Sequence, residues 1–228
     1  MNRENINRYL DHAVLKPELT REETRAAIQL GIDYKVRTVC VRPCDIELAA
    51  SMCSGTETEV SCVLAFPHGD TMSTVKAAEA REYIRAGTNE IDMVVNFSFV
   101  RSGMWDEVIA DIRSVTDVAK PDGILVKVIF ETAYLTLDEI KRTTECAIDA
   151  NADFVKTSTG FASEGATKDG VSAMLDVGRG RIAVKASGGI RDAKGAEMFI
   201  DLGATRIGNG YTSTEAICKG SGSGSGAY

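Results

Sequence analysis

Six charged residues stand in short segments that are otherwise apolar. Asp11 lies in Leu10–Leu15 and Asp92 in Ile91-Asp92-Met93-Val94. Lys127 and Glu131 lie in Val126-Lys127-Val128-Ile129-Phe130-Glu131, Lys156 closes Phe154-Val155-Lys156, and Lys185 closes Ile182-Ala183-Val184-Lys185. Strands of a parallel sheet are covered on both faces and read as near-continuous apolar runs, so charges inside them need a reason. One strand-end lysine is accounted for as a solvated surface group. Three on successive strands, with acids inside neighbouring strands, are not. Paired carboxylates alone would suggest glycoside hydrolysis, but here three lysines stand with them, more than one carboxylate pair. An amine nucleophile that adds to a carbonyl and forms a Schiff base fits best. An unperturbed lysine is neutral in only about 1 molecule in 2,500 at pH 7. Bringing its pKa to about 7 takes roughly 4–5 kcal/mol of differential destabilisation of the ammonium. Burial and a neighbouring cation both act in that direction, and Lys185, one strand along, is the candidate cation for Lys156.

The elements that must carry these residues alternate along the chain. Candidate strands are Leu10–Leu15, Val36–Val41, Val60–Phe66, Glu90–Val95, Leu125–Phe130, Asp153–Lys156, Ile182–Lys185 and Thr205–Ile207. Helical patterns lie between them. Thr20-Arg21-Glu22-Glu23 and Thr136-Leu137-Asp138-Glu139 are capping boxes, and other helices begin near Cys44, Thr71, Met104, Thr167 and Asp192. Strand–helix repetition means βαβ units and a parallel sheet. Eight such units in 228 residues predict a single (β/α)8 barrel with a short N-terminal helix, spanning residues 1–218. A doubly wound open sheet is the alternative, but no Gly-rich loop follows the first strand. In a barrel alternate residues point inward. Lys127, Ile129 and Glu131 then share a face, and two acids and three lysines converge near the C-terminal mouth, where barrel enzymes keep their chemistry.

Two glycine clusters follow the last two strands: Ser187-Gly188-Gly189-Ile190-Arg191 and Ile207-Gly208-Asn209-Gly210. Loops at these positions form a common phosphate site in barrels, with backbone N–H groups as donors.

The remaining composition narrows the partners. Lys+Arg 26 against Asp+Glu 33 gives a formal charge of −7, which argues against nucleic acid as a partner. Apolar runs such as Cys62–Phe66 fall far short of the roughly 18 residues of a membrane span. Met1-Asn2-Arg3-Glu4-Asn5 leads into no signal-peptide core. The six cysteines include no C-x-x-C pair and the histidines are only His12 and His68, a poor supply for a metal site. The expectation is a cytoplasmic, metal-free protein with reduced thiols. Residues 219–228, rich in Gly and Ser, are expected to form a flexible tail ending at Tyr228.

Several blocks occur in one order: Asp11-His12 with Leu15-Lys16-Pro17, Val39-Cys40-Val41-Arg42-Pro43, Phe66-Pro67-His68-Gly69, Glu90-Ile91-Asp92-Met93-Val94, Lys127-Val128-Ile129-Phe130-Glu131-Thr132, Phe154-Val155-Lys156-Thr157-Ser158-Thr159-Gly160-Phe161 and Lys185-Ala186-Ser187-Gly188-Gly189-Ile190-Arg191. Together they resemble the deoxyribose-phosphate aldolase family, from about residue 8 to residue 210. The resemblance implies a class I aldolase on a (β/α)8 barrel, without metal or cofactor. Its reaction is the reversible cleavage of 2-deoxy-D-ribose 5-phosphate to glyceraldehyde 3-phosphate and acetaldehyde. It implies that Lys156 forms the Schiff base, that Lys185 is the second lysine lowering its pKa, and that Asp92 orients water and shuttles protons. Asp11 and Lys127 become supporting polar residues of the pocket, Cys40 a thiol near the substrate, and Tyr228 a C-terminal tyrosine that enters the site for proton transfer. Thr157, Gly160, Gly188, Gly189, Arg191, Gly208 and Gly210 are the substrate-binding candidates. Partners are small aldehydes and sugar phosphates, with a homodimer as the expected assembly.

The chain departs from the family at Ala13, where Thr is frequent, and at Phe97-Ser98-Phe99, where a Gly-containing turn is frequent. A third departure is at Gly208-Asn209-Gly210-Tyr211, where a Ser-Ser pair is frequent. The last weakens the phosphate end. The alternatives are a related aldolase with relaxed phosphate preference, a phosphosugar isomerase or lyase working without a covalent intermediate, and a non-catalytic paralogue that binds sugar phosphates.

Overall fold

The computed structural model describes residues 3–220. The expected tail therefore lies outside the described residues beyond Gly220, and with it Tyr228. A 3-10 stretch, Arg3–Tyr9, leads into β1 (Leu10–Val14). Seven further strands follow: β2 (Thr38–Val41), β3 (Glu59–Leu64), β4 (Glu90–Val94), β5 (Leu125–Ile129), β6 (Phe154–Lys156), β7 (Ala183–Ser187) and β8 (Arg206–Gly210). All pair in parallel, in sequence order, and β8 pairs β1 to close the barrel. The helices are α1 (Arg21–Asp33), α2 (Ile46–Cys53), α3 (Ser73–Arg85), α4 (Phe97–Arg101), α5 (Trp105–Ala119), α6 (Leu137–Asp149), α7 (Lys168–Gly178), α8 (Ala193–Leu202) and α9 (Thr214–Lys219). The expected (β/α)8 barrel is the fold. Both capping boxes form, Thr20 with Glu23 and Thr136 with Glu139.

Strand ends lie within one to three residues of the expectation, and two of the shifts show their cause. β3 stops at Leu64, because Ala65 turns into the left-handed region at φ 50° and its N–H donates to Glu79 of α3 (3.1 Å) instead of the sheet. β8 runs on to Gly210, three residues past the expected end, because its glycines pair with β1 from Leu10↔Ile207 to Ala13↔Gly210.

The apolar core lies between barrel and helices. Leu10, Val39, Cys62, Ile91, Met93, Val126, Val128, Val155, Val184 and Ile207 all belong to it. Their strand neighbours, of opposite parity, form the barrel interior: Asp11, Thr38, Ser61, Glu90, Asp92, Lys127, Lys156, Lys185 and Arg206, all buried. The period-2 pattern thus separates an apolar outer layer from a charged inner one. His12, of outward parity, fits between α1 and α9. Its Nε2 lies 2.8 Å from the Ala27 carbonyl and its Nδ1 2.7 Å from the Thr214 hydroxyl. A carbonyl only accepts, so the proton sits on Nε2 and Thr214 donates to Nδ1.

Candidate active site

Strand register stacks the charges. Asp92 pairs with Lys127 across β4–β5, Lys156 with Lys185 across β6–β7, and Lys185 with Arg206 across β7–β8. At the lower level Arg206 donates to both oxygens of Glu90 (2.9 and 3.1 Å) and to Asp11 (2.7 Å). Lys127 sits among Glu90 at 2.5 Å, Asp92 at 2.6 Å and Asp11 at 3.3 Å. Above them Lys185 bridges Asp11 at 2.5 Å and Asp92 at 2.7 Å. Lys156 reaches one carboxylate, Asp92, at 2.8 Å.

This arrangement decides which lysine is reactive. The ion-paired layer holds three carboxylates, Asp11, Glu90 and Asp92, and four cations, Lys127, Lys156, Lys185 and Arg206, with the buried Glu131 a fourth acid within Coulombic reach of Lys156. Buried charge is costly without a partner, so the number of partners each cation has matters. Burial works against every ammonium here. For Lys127 and Lys185 it is overridden by carboxylates on two or three sides, which hold their pKa values above the ordinary lysine range. For Lys156 burial wins: Asp92 opposes it, the Lys185 ammonium adds to it, and the pKa is lowered. Burial alone would raise Asp92, but Lys127, Lys156 and Lys185 pull it well below the carboxylate range. Asp92 therefore stays an anion bridging the two upper lysines. Lys156, at the C-terminal end of β6, is 3 % exposed where Asp92 and Lys127 are sealed at 0 %.

Asp11 and Lys127, expected as supporting polar residues of the pocket, are fully buried and ion-paired within the charged layer. Cys40 lies in a small apolar wall with Ala13, Leu15, Val63 and Phe66. Burial, reinforced by Asp92, pushes its thiol up, so it stays protonated. Thr157 is buried and its hydroxyl is spent on β7, donating to the Ser187 carbonyl and accepting from the Ser187 N–H, both at 3.0 Å. Gly160 adopts φ 90° in the loop after β6. Gly188 is a contact position: its carbonyl accepts from Ala166 N–H at 3.1 Å, and a Cβ on Gly165 would lie 2.2 Å from that oxygen. Gly189, at φ 78°, faces open space. Arg191 is exposed and makes no ion pair with a described residue. Gly208 and Gly210 share the inward parity of Arg206, so β8 places no side chain beside Lys185 at these levels. Thr214, whose hydroxyl accepts from Asn209 at 2.8 Å and serves His12, is already occupied.

The sequence reading missed Glu90 and Arg206. Glu90 is in phase with Asp92, two residues before it, and Arg206 lies inside the candidate strand Thr205–Ile207. Alternation relative to the recognised charges was the available signal.

A charged barrel interior, with one lysine at the end of β6 whose pKa is lowered, is the frame in which relatives matter. The model of the DeoC/LacD family aldolases matches residues 5–219. The chain belongs to the DeoC/LacD aldolase family. A deoxyribose-phosphate aldolase of Natranaerobius thermophilus is 45% identical over 204 residues, covering 90% of this chain and 92% of that protein. One from Mannheimia succiniciproducens is 41% identical over 228 residues, the full length of both. Among solved structures, an aldolase called QR15 superposes with TM-score 0.88 at 39% identity, covering 94% of this chain and 95% of that one. A deoxyribose phosphate aldolase of Aeropyrum pernix, described as tetrameric, gives TM-score 0.87 at 27% identity over 95% and 91%.

Proposed function

We propose that this family member cleaves 2-deoxy-D-ribose 5-phosphate, reversibly, to glyceraldehyde 3-phosphate and acetaldehyde through a Schiff base on Lys156. The observation that carries it is the contrast between Lys156, with one carboxylate and a lowered pKa, and Lys127 and Lys185, held as ammonium ions. The names of the relatives support the substrate. The neutral Lys156 amine adds to C1 of the open-chain sugar and water leaves, giving an iminium. The iminium draws the C2–C3 bonding pair toward nitrogen as the C3 hydroxyl loses its proton. That bond breaks, glyceraldehyde 3-phosphate departs, and an enamine remains. Protonation at C2 and addition of water return acetaldehyde and free Lys156. Asp92, bridging Lys156 and Lys185 at 2.8 and 2.7 Å, is the group through which protons pass to water and substrate. The open side of β8 above Arg206 and the Gly188–Gly189 turn are read as the phosphate end, with Arg191 beside it.

Borohydride added with acetaldehyde should leave one ethyl group on Lys156, and Lys156→Ala should abolish both label and turnover. Label on Lys127 or Lys185 instead refutes the assignment. It also separates this reading from an isomerase or lyase without a covalent intermediate and from a non-catalytic paralogue.

A second reading, relaxed phosphate preference, is favoured by Gly210, which has no side chain, by Tyr211, whose ring packs on the core near His12, and by the occupied Thr214 hydroxyl. Assembly is read as homo-oligomeric, supported by the tetramer described for the Aeropyrum pernix relative; light scattering tests it. A reducing, cytoplasmic setting is supported by six free thiols. Among the described residues no helix is long and apolar enough to cross a membrane.

A further inference from the structure

Glu131 is the buried acid that this mechanism does not use. It follows β5 in the left-handed region at φ 55° and is 2 % exposed. A non-glycine residue there is strained, and such strain persists only where the surroundings over-determine it. Its carboxylate is spent on a single residue of the loop after β6: Oε1 accepts from the Thr159 N–H at 3.3 Å, and Oε2 accepts from the Thr159 hydroxyl. The same Thr159 oxygen accepts from the Phe161 N–H at 3.0 Å. Phe161 then meets Phe66 edge to face, with ring centres 5.4 Å apart. Phe66 packs on the wall of Ala13, Leu15, Cys40 and Val63. Phe161, Phe66, Leu15 and Val63 border a cavity of about 420 Å³ that also reaches Arg42, His68 and Tyr83, beside the lysine layer rather than over it. The Cys40 thiol of this wall lies within the electrostatic reach of Lys156, Lys185 and Asp92. One chain of contacts thus runs from a strained acid, through one threonine, to an aromatic ring on the rim of this cavity.

We propose that Glu131 is a positioning residue: through Thr159 it holds Phe161 against Phe66 and thereby fixes the apolar wall that receives the carbon skeleton of the aldehyde. The proposal rests on the aldolase reading for its ligand, but the placement of Phe161 stands apart from it. A neutral acceptor would satisfy Thr159 at less cost in desolvation. The two-oxygen carboxylate instead binds amide and hydroxyl together, which orients the Thr159 oxygen toward Phe161.

Two measurements test it. Hydrogen exchange reads the Phe161 amide without needing turnover. Thr159→Val and Glu131→Gln should speed its exchange about tenfold or more, and Thr159→Ser should keep it protected. Steady-state kinetics read the wall. Thr159→Val, Glu131→Gln and Phe161→Ala should each raise KM for deoxyribose 5-phosphate about fivefold, with a smaller change in kcat. The double variant Glu131→Gln/Phe161→Ala should be no worse than Phe161→Ala alone, since both act through the same ring. Unchanged exchange in Thr159→Val overturns the proposal. So does additive loss in the double variant, which would mark Glu131 as a general structural residue. Borohydride trapping of acetaldehyde on Lys156 is run in parallel. Absence of label in the parent protein removes the aldolase reading and leaves hydrogen exchange to decide the placement of Phe161.

Discussion

At the scale of single residues, the difference between Lys156 and Lys185 comes from how many anions each one touches. Lys185 lies against Asp11 and Asp92, Lys156 against Asp92 alone. The same burial therefore leaves the Lys185 pKa raised and the Lys156 pKa lowered. Only the neutral amine attacks, so the acidic limb of the pH–rate profile follows the Lys156 pKa. Lys185→Leu removes a cation that lowers this pKa and leaves Lys156 as the lysine on the Asp92 oxygen the two now share, and both changes raise it. The limb should move to higher pH by about one unit or more, and kcat/KM at pH 7 should fall more than roughly tenfold. A limb that stays in place in the Lys185→Leu profile removes the coupling.

At the scale of elements, β8 and β1 show how a strand's two faces divide labour. β8 places Arg206 inward under the acids and then glycines, Gly208 and Gly210. A hydrogen bond to a charged group contributes about 1.5–3 kcal/mol. Gly210→Ser with Tyr211→Ser should therefore raise the ratio of kcat/KM for deoxyribose 5-phosphate over deoxyribose by roughly tenfold or more. If the parent already prefers the phosphate by thousands and the variant gains nothing, the relaxed-preference reading is wrong. On β1, the outward His12 joins α1 to α9, and burial lowers its pKa to about 4. The unfolded chain, with its ordinary value near 6.5, then binds the proton more readily than the folded one. Stability from this group is complete above about pH 6.5 and is lost as pH falls toward 4, by about 3 kcal/mol in all. Thermal melts between pH 4 and 7 should show that slope, and it should be shallower in His12→Gln.

At the scale of the whole molecule, barrel and helical shell are joined where β4 ends. Lys76 of α3 is fully buried, donating to the Val94 carbonyl at 2.9 Å and to Asp111 of α5 at 2.7 Å. Asp111 also accepts from Asn96 N–H at 3.0 Å and from Ser73 at 3.0 Å. This pair ties two helices to the end of the strand that carries Asp92. Breaking a buried pair costs about 3–5 kcal/mol, whereas replacing both partners with apolar groups is often neutral. Lys76→Met should lower Tm by about 10 °C, and Lys76→Met with Asp111→Leu should recover most of it. A double variant as unstable as the single one would show that the hydrogen bonds to Val94 and Asn96 matter more than the charges.

The eightfold alternation, the capping boxes at Thr20 and Thr136, and the six charges inside apolar segments were all legible in the order of residues, because period and capping are local properties. Short-range patterning also put Asp92 in phase with Glu90, yet nothing local said that Glu90 and Arg206 would neutralise one another under the site. Those are contacts between residues 116 positions apart, made by barrel closure. The same holds for Lys76 with Asp111 and for Glu131 with Thr159, which look like ordinary surface-helix and strand-end residues until the fold brings their partners in. The sequence by itself determined the barrel and the set of ionisable groups turned into it. Which lysine among them has its pKa lowered only the tertiary structure decided, because a buried pKa is set by the number and distance of opposite charges around it, and these are fixed when eight strands close in register.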